Sequence, residues 1–101
     1  MKHTYQDHIT QSRRLCLLRL LSENNGKLNE SVIDTALSAY GFCQSRDELR
    51  DDFRFLIDNG CATDEWVSDI MVLSITRRGH EVVQGLIEVP GIQKPSIIGR
   101  K

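Results

Sequence analysis

Apolar residues recur along this chain first at helical spacing, then at strand spacing, then at helical spacing again. From Tyr5 to Ser22, the cluster Leu15, Cys16, Leu17, Leu18, Leu20 and Leu21 predicts a helix apolar over much of its circumference. Such a helix is wrapped by other elements or by a second subunit. Arg13, Arg14 and Arg19 interrupt its surface. Glu23-Asn24-Asn25-Gly26 ends it, because Asn and Gly tolerate the left-handed backbone of a helix stop. A second helix is expected over Glu30 to Tyr40, with Asn29 as N-cap and Val32, Ile33, Ala36, Leu37 and Tyr40 on one face. A third opens at Ser45-Arg46-Asp47-Glu48, where serine and glutamate stand at capping-box spacing. Its buried stripe is Leu49, Phe53, Leu56 and Ile57, and Asn59-Gly60 stops it. The turn from Gly41 to Ser45 is short, as in a helix-turn-helix pair.

The period then changes. Cys61 to Val67 and Ile70 to Ile75 read as two strands, the second rich in β-branched residues, with Ser68-Asp69 as a tight turn. Thr76 caps a fourth helix expected from Arg77 to Ile87, which Gly79 and Gly85 each weaken by roughly 1 kcal/mol relative to alanine. Pro90 and Pro95 mark an extended or flexible tail. The expected architecture is α+β and mostly helical: three helices, a two-stranded wing and a C-terminal helix. This is the plan of a winged helix-turn-helix, with the domain over residues 1–89 and the tail over 90–101.

Length and composition narrow the function. A chain of 101 residues makes one domain, with little room for a deep substrate cavity. Thirteen basic residues against fourteen acidic ones leave a formal charge of −1, so a polyanion partner is not announced by net charge. The three cysteines, Cys16, Cys43 and Cys61, are odd in number and form no CxxC pair, which argues for reduced thiols rather than a disulfide framework or a zinc site. His3, His8 and His80 stand apart from any metal-ligand pattern. Cys16 and His8 lie two turns apart on one helix with nothing to orient them as a nucleophile pair. No phosphate-cradling motif occurs. The reading is therefore not an enzyme, with no catalytic residue, metal or cofactor. The longest apolar cluster, Leu15 to Leu21, is broken by Arg19 and too short to span a bilayer, so the chain reads as cytoplasmic, with no membrane partner.

Several stretches carry a family resemblance: Arg14 to Leu21, Ser45-Arg46-Asp47, Leu56-Ile57-Asp58-Asn59-Gly60, Leu73-Ser74-Ile75-Thr76-Arg77-Arg78-Gly79 and Val89-Pro90-Gly91-Ile92-Gln93-Lys94-Pro95-Ser96. With these the chain resembles the small winged-helix proteins of Mu-like phages and prophages, often labelled arsenic-repressor-like. The resemblance implies a phage-encoded winged helix and brings no catalytic residues. The arsenic-repressor likeness is one of fold, so it carries function by analogy alone. The third helix also lacks the paired thiols that metal-sensing relatives use there.

In a helix-turn-helix the second helix of the pair enters the major groove. Arg46, Arg50 and Arg54 form a stripe along one flank of that helix here, and with Gln44 and Ser45 they are the candidate DNA contacts, joined by Arg77 and Arg78 at the start of the last helix. Lys94, Arg100 and Lys101 supply further cations. Against this, Asp47, Asp51 and Asp58 lie opposite the buried stripe, and Asp64, Glu65 and Asp69 make the wing acidic. The plainer account of the stripe is ion pairing within the helix, Arg50 with Asp47 and Arg54 with Asp51 or Asp58.

Leu17, Leu21, Phe55 and Trp66 are the candidate contacts for a homodimer or another partner. Phe55 falls off the buried stripe and is read as packing against the first helix from a second side. Trp66 is read first as covering the hairpin's apolar face and second as an anchor for a partner. The leading function is a regulator that binds duplex DNA as a homodimer. The other is a protein–protein adaptor that binds no DNA and uses the acidic wing with Phe55.

Overall fold

The computed structural model describes residues 4–95. Its elements are α1 (Tyr5–Glu23), β1 (Lys27–Asn29), α2 (Glu30–Ala39), α3 (Arg46–Asp58), β2 (Ala62–Val67), β3 (Ile70–Ile75) and α4 (Arg77–Val83). This is the α+β architecture expected, a winged helix with the wing built from β2 and β3.

Each helix starts where a side chain satisfies an otherwise unpaired backbone N–H. Asn29 Oδ1 accepts from Val32 N at 2.9 Å, and Thr76 Oγ1 accepts from Gly79 N at 3.1 Å. Ser45 and Glu48 form the reciprocal capping box, at 3.1 and 2.9 Å. Thr76 also donates to the Gly60 carbonyl at 2.6 Å, which joins the start of α4 to the end of α3. The stop after α1 is left-handed at both Asn25 and Gly26, with φ of 65° and 84°.

Two elements differ from the sequence expectation. The sheet has three strands in the order β1-β3-β2, all antiparallel, rather than a two-stranded wing alone. Lys27–Asn29 is too short to show an alternation of its own; it is a strand because β3 lies beside it, with Leu28 opposite Leu73. The last helix ends at Val83 instead of Ile87, since Gly85 adopts a φ of 80° and breaks it.

The core is one cluster around α1. Leu17, Leu18 and Leu21 have no exposed surface, and Ile33, Leu37, Leu49, Phe53, Leu56, Leu73 and Val82 close over them from α2, α3, β3 and α4. The broad apolar surface of α1 is thus wrapped by the chain's own elements. Beyond α4 the chain crosses back over α1. Val89 and Ile92 are buried, and Gln93 N donates to the Gln11 carbonyl at 3.2 Å.

Candidate nucleic-acid interface

The α2–turn–α3 unit leaves the outer side of α3 uncovered, with Arg46, Asp47, Glu48, Arg50, Asp51, Arg54 and Asp58 all exposed. The expected arginine stripe is present, but its electrostatics come from α2. Glu30, with a side chain 8% exposed, accepts from Arg50 Nε at 2.9 Å and from its Nη2 at 3.3 Å. Arg46 Nη1 lies 3.4 Å from the same carboxylate, and its Nη2 lies 3.9 Å from Asp34. Gln44 donates to Asp34 at 2.6 Å. The hydrogen bond from Arg50 holds the Glu30 carboxyl below its ordinary range against a desolvation penalty, and raises the Arg50 guanidinium in return.

These contacts correct the pairing read from the sequence. The hydrogen-bonded partner of Arg50 is Glu30 at the start of α2, nearly buried on that flank, and Asp47 within α3 adds only a weaker electrostatic attraction. Arg54 is exposed and makes no ion pair among the described residues. It is the open cation of the stripe. Arg46 and Arg50 stay half-exposed, at 50% and 55% of their side chains, so their outer edges still face solvent.

The other candidate cations divide. Arg77 is 92% exposed and lies 3.6 Å from Glu81 one turn along. Arg78 is fastened to the end of α3, its Nε donating to the Asn59 carbonyl at 2.9 Å. A cation there complements the negative end of the helix dipole. Lys94 lies 3.0 Å from Glu88. His3, Ser96, Arg100 and Lys101 lie outside the described residues.

The wing is acidic as expected. Asp64, Glu65 and Asp69 are exposed, and no Lys or Arg occurs between Ala62 and Ile75. Lys27 Nζ reaches Glu65 at 4.0 Å. Trp66 does not cover the apolar face. It shares the α3 side of the sheet with Met71 but stays 57% exposed. With Arg50, Phe53, Arg54, Asp58 and Asp64 it lines a groove between α3 and the wing.

Leu17 and Leu21, candidates for a partner contact, are fully buried within the chain and offer a second copy nothing. Phe55 is half-buried: the Arg14 guanidinium stacks 3.9 Å above its ring, and Gly91 lies against its edge. The sequence reading passed over Asp52. It is buried in α3, where it accepts from Arg13 and, at 3.0 Å, from Arg14 of α1. The signal was there, since Asp52 sits inside the stripe of Leu49, Phe53 and Leu56, where a carboxylate needs a cation.

Among the described residues no group of three or more His, Cys, Asp or Glu is placed to hold a metal, and no helix is long and apolar enough to cross a membrane. None of the cysteines lies on α3. Cys61 is buried, Cys16 half-buried and Cys43 exposed, and burial raises the first two thiols.

No family model matches the chain. It is, however, 36% identical over 89 residues to the uncharacterized protein gp26 of Escherichia phage Mu, covering 88% of this chain and 93% of that one. The chain belongs to the family of Mu gp26. A second relative, an uncharacterized protein of Haemophilus influenzae (strain Rd), is 42% identical over 76 residues and 74% of each chain. Among solved structures, a winged-helix DNA-binding protein from STIV superimposes with a TM-score of 0.63 over 84% of this chain and 87% of its own, at 20% identity. That likeness assigns the winged-helix fold to this gp26 relative.

Proposed function

We propose that this gp26-family protein binds duplex DNA through α3 and acts as a phage-type regulator by occupying its site in the host cytoplasm. The observation that carries the reading is the stripe of Arg46, Arg50 and Arg54 on the side of α3 left exposed among the described residues, in the second helix of the pair. That helix enters the major groove in such folds. The DNA-binding description of the STIV neighbour is consistent with it.

The charges set the kind of binding. Phosphate contacts dominate affinity, and carboxylates beside them oppose it. Arg54 makes the main contact, Arg46 and Arg50 contribute their outer edges, and Gln44 and Ser45 lie at the approaching helix start. Arg77 adds a peripheral cation. The acidic wing stays off the backbone, so non-specific affinity sits at the weak end, with Kd of about 10⁻⁴ M at physiological salt. Two copies reading half-sites one helical turn apart raise it. Their seam falls on exposed residues beside α4 such as Leu86, since Leu17 and Leu21 are sealed within each copy.

The test is fluorescence anisotropy on a random duplex across a salt series, with the native chain and Arg50→Ala/Arg54→Ala. The expected result is an affinity that falls with salt, and a salt slope about 1 to 2 units shallower in the variant. Absence of binding at low salt, or a variant that binds like the native chain, overturns the reading.

A further inference from the structure

The wing carries an open sheet edge whose chemistry suits neither duplex DNA nor a second copy of itself. The order β1-β3-β2 leaves the outer edge of β2 without a strand beside it among the described residues, and Thr63 to Val67 are all exposed. Trp66, Val67 and Ile70 at the wing tip are 57%, 55% and 54% exposed. Three large apolar side chains in water beside an unpaired strand edge mark a contact surface, since edge strands are ordinarily protected.

The carboxylates decide what fits. Asp64 and Asp69 make no ion pair among the described residues, and Glu65 has only Lys27 at 4.0 Å. Phosphates are repelled here. Self-pairing is opposed as well. Antiparallel β2 strands from two copies, centred on Asp64 and Glu65, place carboxylate opposite carboxylate, which destabilises a pair. The complement of this edge is a cationic strand.

Register refines the match. Residues opposite one another in the β2–β3 ladder share a face, so Asp64 and Trp66 lie on the α3 side with Leu73 and Met71, while Glu65 and Val67 lie on the other side with Val72 and Ile70. A strand added to β2 meets Val67, Trp66, Glu65 and Asp64 in turn. We propose that the outer edge of β2 docks an extended segment of a partner protein, antiparallel, in which two apolar residues are followed by two of Lys or Arg. Main-chain hydrogen bonds hold the segment, and the side chains on its two faces select it. The proposal rests on the β2 edge and not on the DNA reading, although Asp64 and Trp66 also line the groove shared with Arg50 and Arg54.

Trp66 is the one tryptophan of the chain and reports on the site directly. The probe is a tryptophan-free peptide, Ser-Thr-Val-Val-Lys-Lys-Thr-Ser, titrated to millimolar concentration while Trp66 emission is followed. The expected result is a saturable blue shift. It weakens about tenfold or more when the lysines are replaced by glutamates, and likewise in the Asp64→Lys/Glu65→Lys variant, whose side chains are exposed and leave the core untouched. Arg46→Ala, on α3 but outside the groove that Trp66 lines, leaves the shift unchanged, which separates this site from the arginine stripe. The proposal is overturned by no shift, by equal shifts from the lysine and glutamate peptides, by undiminished binding to the charge-reversed variant, or by a shift produced by random duplex DNA instead of the peptide.

Discussion

The Nε of Arg13 donates to the carboxylate of Asp52 between α1 and α3, with side chains 4% and 1% exposed. The pair lies inside an otherwise apolar cluster, so each ion depends on the other for what water no longer supplies. Arg14 adds a second donor to the same carboxylate and carries the contact outward to the Gly91 carbonyl, 3.1 Å from its Nη1, and to the face of Phe55. One carboxylate thereby ties α1, α3 and the segment after α4 together.

Replacing Asp52 with Ala strands Arg13 in the core. The expected loss is about 3–5 kcal/mol, a large share of the roughly 5–15 kcal/mol that holds a domain folded. Urea denaturation measures it. Arg13→Met/Asp52→Leu recovers most of the loss, because a packed apolar pair replaces the ions without an unpaired charge. A loss under about 1 kcal/mol in Asp52→Ala contradicts the dependence.

Gly91 sits at a φ of 97°, and a Cβ added there falls 2.5 Å from Phe55 Cζ. Gly91→Ala therefore combines backbone strain with a clash on the ring that Arg14 stacks upon, and is expected to cost about 1–3 kcal/mol. Adding Phe55→Leu to Gly91→Ala relieves the clash and restores part of the stability in thermal melts. A neutral Gly91→Ala variant shows that this segment does not lie against α3 in solution.

Glu30 gives the fold an acid-sensitive contact. The Arg50 hydrogen bond lowers its folded pKa below the unfolded value, so the native state binds fewer protons than the unfolded chain in acid. The stabilisation is complete above the unfolded pKa of about 4.3 and is lost as pH falls through the folded value. Denaturation midpoints from neutral pH to about pH 3 are expected to fall less steeply for Glu30→Gln than for the native chain, while Glu30→Gln is the less stable at neutral pH. Parallel curves for the two proteins count against the contact.

Much of the fold was legible because it rests on local rules. Ser45 with Glu48, Asn29, Thr76 and the Asn24-Asn25-Gly26 stop act within a few residues of chain, and each lies where its side chain or backbone conformation demands. Of the two wing strands, β3 showed in its β-branched and apolar composition. The β1 strand did not, since three residues carry no period and only the neighbouring β3 makes them a strand.

For the candidate site, sequence alone determined which residues lie on the outer side of α3 and that the wing is acidic, because helical and strand periods fix the direction of side chains on their own elements. Tertiary structure decided the partners. Glu30 claims Arg50, Asp52 takes Arg13 and Arg14 inward, Leu17 and Leu21 are closed off by the chain itself, and Trp66 stays more than half exposed. The physical reason is that Coulomb and hydrogen-bond energies depend on distances between elements far apart in the chain, and a local period carries no record of those distances.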